Sequence, residues 1–133
     1  MTIKKYADKY KSGLYVLFRL LVGLMFFMHG SMKLFGWFGG SAQQLMSLMG
    51  VAGVVETLAG LGIFFGFFGR LSALGGLITM IVAFFMVHFP NGWNPLANGG
   101  ELALVYFASF LIVLVMGNGA WSLEKVLLNK EVF

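Results

Sequence analysis

Four apolar stretches, parted by short breaks rich in glycine and tryptophan, dominate the chain. They run over about residues 13–35, 46–68, 71–89 and 101–117. A bilayer-spanning helix takes about 20 residues. The polar face that a soluble helix repeats every three or four residues is missing from all four. The pattern predicts an all-α fold, an integral membrane four-helix transmembrane bundle forming a single domain over residues 1–133. The last stretch is short for a full span, so it either lies in a thinned bilayer or draws in residues 96–100.

The breaks have local causes. Gly36 to Gly40 ends the first helix, and Trp37 within it suits a membrane interface. Residues 41–48 are mildly amphipathic and are expected at the interface. Gly69-Arg70 is tight enough to make helices two and three antiparallel neighbours. Helix three should end at His88-Phe-Pro90, because proline disfavours helix at the residue before it. Residues 91–100 form a loop dense in turn residues. Before the first stretch, Lys4, Lys5, Lys9 and Lys11 imitate a signal-peptide start, but Arg19 interrupts the apolar run and no small-residue cleavage site follows. We read an uncleaved helix behind a short interfacial arm. Residues 122–133 read as a short surface helix.

The few polar residues inside these stretches are the informative ones, since a charge at membrane depth costs about 2.5–3.5 kcal/mol on insertion scales unless paired or wetted. At about 100° per residue Arg19, Gly23, Phe26, Gly30 and Lys33 share one stripe of helix one, with His29 about 80° away from Arg19. Such a stripe turns inward. Helix two offers Glu56 beside Ala52, Gly53, Ala59 and Gly60, small residues that allow close packing in lipid. Counted at 1.5 Å per residue, Arg19 lies roughly 9 Å deep and Glu56 near the middle, an axial gap of about 5–8 Å. That predicts a buried Arg19–Glu56 ion pair, read either as a packing device or as part of a proton or substrate relay.

A second constellation gathers at the opposite edge. His29 and Lys33 close helix one, His88 closes helix three and Glu101 opens helix four. With Trp93 on the rim and Glu56 as floor, His29, Lys33, His88 and Glu101 predict an outward-opening pocket able to exchange protons. The alternative is that these edge residues face headgroups and water.

Composition and charge narrow the function. The chain is 59% hydrophobic and 11% charged, too apolar for a soluble core of 133 residues. It has no cysteine, which excludes disulfides, iron–sulfur clusters, zinc–thiolate sites and thiol-exchange chemistry. The net charge of +4 does not point to nucleic acid, because the cations flank the spans. Lys4, Lys5, Lys9, Lys11, Arg70, Lys125 and Lys130 fall on one side and Lys33 on the other, which places both termini in the cytoplasm.

The order Arg19…Gly23…His29-Gly30…Lys33-Leu-Phe-Gly36, Glu56…Gly60…Gly66, His88…Trp93 and Glu101…Gly117-Asn-Gly119…Trp121-Ser-Leu-Glu124 resembles the DoxX family over nearly the whole chain. The resemblance implies a multi-pass inner-membrane protein with Arg19, Lys33, Glu56, His88 and Glu101 as its polar core. Some DoxX-like proteins are subunits of thiosulfate:quinone oxidoreductases, and others associate with redox or sulfur-handling enzymes. The leading expectation is therefore an accessory subunit holding a quinone-like or other amphipathic molecule between its helices. Electrons would come from a partner, since no flavin, nucleotide or iron–sulfur motif is present. A non-enzymatic scaffold or small-molecule transporter component is the alternative, with homo-oligomerisation through Gly62 and Gly66 left open. Haem held by His29 and His88 is the lesser one, because both sit at helix ends.

Overall fold

The computed structural model describes residues 2–133, and no strand occurs among them. Helix α1 runs unbroken over Ile3–Phe35, α2 over Leu48–Phe65 and α3 over Gly69–Ala83. A π-helical turn, Phe84–His88, and a 3-10 turn, Phe89–Asn91, prolong α3. After the short α4, Pro95–Asn98, come α5, Glu101–Met116, and α6, Leu123–Leu128. Among the described residues three segments are long and apolar enough to cross a membrane: Ile3–Phe35, Leu48–Phe65 and Gly69–Asn91. Helix α5 is apolar but shorter.

Two expectations of local structure change. The basic arm is continuous with α1 rather than a separate interfacial piece, because nothing between Ser12 and Leu14 breaks the helix. Helix two, expected from about residue 46 to 68, runs over Leu48–Phe65; Ser47 caps its start, its side chain accepting from the Gly50 amide at 3.0 Å.

Small residues decide the packing. Helices α1 and α2 form the most extensive contact in the molecule, α3 packs on α5, and α2 on α3. A Cβ at Gly23 would strike the backbone of Gly60 and Phe64, one at Gly30 the backbone of Glu56 and Thr57, and one at Gly60 the backbone of Phe27. Backbone against backbone is the close approach that small residues permit in lipid, where lipid tails are as apolar as leucine and burial gains little. The same contacts fix the register: Gly23 lies level with Phe64, Phe27 with Gly60, and Gly30 with Thr57 and the neighbouring Glu56. Phe26 of α1 packs on Tyr106 and Phe110 of α5 and joins the two helix pairs.

The chain end is built in rather than laid on the surface. Glu124, expected on a surface helix, is fully buried, and its carboxylate accepts from the Phe68 amide at 2.9 Å and the Val132 amide at 2.7 Å. The Phe133 carbonyl accepts from the Arg70 and Leu71 amides at the start of α3. This orders the α2–α3 turn and the segment after α5 as one cap at the end of the bundle where α1 enters.

Candidate functional site

Every Cα–Cβ bond of a helix tilts toward its N-terminus, so long side chains reach backward along the chain. Lys33, in the last turn of α1, therefore reaches back into the bundle. Its Nζ lies 2.6 Å from Oε1 of Glu56, and only 2% of the Glu56 side chain is exposed. The predicted Arg19–Glu56 pair is replaced by this one. The register puts Gly30 opposite Glu56, eleven residues or about 16 Å beyond Arg19. Arg19, leaning toward the N-terminus, points away from Glu56 altogether. Its guanidinium donates to the Phe64 carbonyl at 3.3 Å and to the Asn118 carbonyl.

The pair is incompletely satisfied. Oε2 of Glu56 is buried and has no hydrogen-bond partner. An orphan acceptor of this kind is uncommon in a folded protein and asks for an explanation. Two hollows meet the pair. One, of about 410 Å³, lies between α2 and α3 and is lined by Lys33, Glu56 and His88 together with aliphatic groups such as Val55, Ile78 and Val82. Its lining includes the exposed Val51 and Ile78, so it reaches the outer surface of the bundle. The other, of about 240 Å³, lies among α1, α3 and α5 and adds His29, Phe26 and Tyr106 to the same Lys33, Glu56 and His88.

The π-helical turn brings His88 to both hollows. Pro90 lacks the amide that would continue the α-helical ladder, and the widened turn closes with the Phe89 amide bonded to the Phe84 carbonyl. His88 Nδ1 then sits 3.3 Å from the Asn98 carbonyl oxygen. Asn98 is itself anchored, donating to the Gly92 carbonyl at 2.8 Å and accepting from the Gly100 amide at 2.7 Å. The loop thus orients the imidazole from behind.

Of the residues expected around a pocket, the structure brings His29, Lys33, Glu56 and His88 together. Trp93 is 77% exposed and Glu101 is exposed, and neither contributes to either lining. Arg19 belongs to the other end. Tyr106 was not foreseen. Its ring stands edge-on to His29, 5.7 Å between centroids, and stacks on Phe110. The signal was the one phenol in the apolar run of helix four, whose other polar side chain past Glu101 is Ser109. No group of three or more His, Asp or Glu side chains able to hold a metal occurs among the described residues.

In chemical terms the site offers an ammonium donor, a carboxylate oxygen free to accept, two imidazoles and a phenol at the end of an apolar slot. That set fits a small polar head on an apolar body, the usual make-up of a ligand pocket.

The family model described as DoxX matches residues 14–89. An uncharacterized protein of Haemophilus influenzae is 32% identical over 130 residues, covering 92% of this chain and 97% of its own. The inner membrane protein YqjF of Escherichia coli is 34% identical over 122 residues, covering 85% of this chain and 90% of its own. No solved structure matches. With the apolar helices, these relationships make the chain a multi-pass protein of the inner membrane.

Proposed function

The chain belongs to the DoxX family, and we propose that it holds an amphipathic small molecule of the quinone class for a membrane-bound redox partner. The head lies at the Lys33–Glu56 pair and the apolar body in the α2–α3 groove. One observation carries this reading: the unpartnered Oε2 of Glu56 beside an apolar hollow of about 410 Å³. A quinol hydroxyl would donate to that oxygen, while a quinone carbonyl would accept from Lys33, so both redox forms find a partner. His88 and His29 are placed to pass protons between the head and the loop end of the bundle.

The same reading gives four spans, with α5 and the α4 turn making the last, and both termini in the cytoplasm. The cap at the α1 entry end, with Arg70, Lys125 and Lys130, supports this through the positive-inside bias. The chain has no native cysteine, so single-cysteine variants report cleanly. Cysteine at Lys4 or Lys130 should stay unreactive to impermeant thiol reagents in intact cells, and cysteine at Asn91 should react. Equal labelling at both ends overturns the four-span arrangement.

The ligand is tested by native mass spectrometry of protein extracted in mild detergent. The expected result is a retained adduct of quinone mass in the wild type that falls in His88→Ala, with thermal stability little changed because a half-buried edge histidine packs little. Retention of the same adduct by His88→Ala, or no adduct besides phospholipid in either protein, refutes the site.

A further inference from the structure

A separate hollow of about 570 Å³ lies at the cap end, remote from the Lys33–Glu56 pair. It is walled by Arg19 of α1, Phe64 and Phe65 at the end of α2, and Trp121, Leu123 and Lys125 after α5. Arg19 is 1% exposed, yet no carboxylate lies within ion-pair distance of it among the described residues. Its two hydrogen bonds go to the carbonyls of Phe64 and Asn118, near the C-terminal ends of α2 and α5, and its Nε is buried without a partner. A helix C-terminus supplies only about half an elementary charge, and mostly within its last turn. The guanidinium is therefore undercompensated in a region of low dielectric, where an unpaired charge is expensive.

The lining adds a second cation, Lys125, and no acid. Trp121 stands 71% exposed on the rim, as interfacial tryptophans do at headgroup level. A further hollow of about 280 Å³ shares Phe65 and Leu123 with the first and carries no charged side chain. Two cations at a membrane edge, opening into an apolar hollow, match a phosphate with a hydrocarbon tail better than a free anion.

We propose that this groove binds an anionic phospholipid, its phosphodiester facing Arg19 and Lys125 and an acyl chain in the adjoining hollow. The lipid adds counter-charge to Arg19, whose nearest acid, Glu131, acts from beyond ion-pair distance while it bonds the Asn118 amide and Arg70.

Trp37→Phe with Trp93→Phe leaves Trp121 as the reporter in a protein otherwise unchanged. In phosphatidylcholine nanodiscs, brominated phosphatidylglycerol should quench Trp121 more strongly than brominated phosphatidylcholine at equal mole fraction. Lys125→Gln, at an exposed position that does not threaten folding, should weaken the phosphatidylglycerol effect about fivefold, as loss of one cation near an anionic headgroup implies. Equal quenching by the two lipids, or no effect of Lys125→Gln, overturns the proposal. Relief of quenching by inorganic phosphate at constant ionic strength would give the groove to a soluble anion and overturn the lipid as occupant.

Discussion

Helix α1 carries two inward-facing cations, and the two ends of the bundle treat them differently. Lys33 meets a buried carboxylate at 2.6 Å, Glu56. Arg19 meets backbone carbonyls near the ends of α2 and α5. Each solution suits its side chain. A guanidinium is a rigid fork that serves several acceptors at once, whereas an ammonium is a compact point charge best matched by one anion. The consequence is that the Lys33 end is nearly neutral with one acceptor left over, while the Arg19 end keeps net positive charge. A nearly neutral site with an acceptor to spare suits an uncharged polar head, and a positive one suits an anion.

The strongest test removes one partner of the ion pair. Glu56→Leu or Lys33→Met alone should lower stability by about 3–5 kcal/mol, because each strands a buried charge. The double variant should recover most of that loss, since a buried pair replaced by apolar groups of similar volume is often neutral. Thermal unfolding in detergent or nanodiscs reads the cycle. Single losses that simply add would mean that the two residues do not interact.

At the other end Arg19→Met should cost about 1–3 kcal/mol, reflecting carbonyls left without a donor, partly offset by removal of a buried charge. Combined with Glu56→Leu, its effect should add to within about 0.3–0.5 kcal/mol, as expected of sites more than 10 Å apart. Strong coupling between Arg19 and Glu56 would erase the contrast between the two ends.

That contrast was only half legible in the sequence. The inward stripe of α1, the small-residue face around Glu56 and the meeting of His29, Lys33 and His88 follow from helical period and alternating direction, which sequence displays. Which cation takes Glu56 does not. It depends on register, set by the backbone contacts of Gly23, Gly30 and Gly60, and on the backward lean of helical side chains. Arg19 and Lys33 stand 14 residues apart on α1, so only a register shift of about four turns would exchange one candidate partner for the other. The roles of Asn118 and Glu124 were hidden for a different reason. Their partners, Arg19 and the Phe68 amide, lie 99 and 56 residues away, and no local pattern announces a pairing of that range. Trp93 and Glu101 sit at the expected edge, but both are exposed and stand outside the two hollows.

The cap that brings Asn118 to Arg19 can be loosened without touching either cation. Glu124→Gln keeps the shape but replaces one acceptor oxygen with an amide donor, facing either the Phe68 or the Val132 amide. The expected loss is about 1–3 kcal/mol, the cost of one buried amide left unpaired. Hydrogen exchange should quicken at Phe68 and Val132 while the amides around Glu56 stay protected. Uniform loss of protection would mean that the cap and the Lys33–Glu56 end unfold as one unit.

The smallest expected effect concerns what lies beyond the Arg19 end. Helix α1 continues through Gly13 into the lysine-bearing arm, and nothing lies within 4 Å of where a Cβ on Gly13 would stand. Gly23 and Gly30 are held to glycine by the backbone of α2, so alanine there should destabilise. Gly13 faces no such demand. If the helix runs straight through it, Gly13→Ala should stabilise by about 0.5–1 kcal/mol, because alanine loses less backbone entropy on becoming helical. If instead the arm folds onto the headgroups at Gly13, alanine should gain nothing or destabilise, and a spin label at Lys5 should lie closer to the bilayer surface than one on a straight helix. Unfolding midpoints of Gly13→Ala and Gly30→Ala, measured side by side, should move in opposite directions.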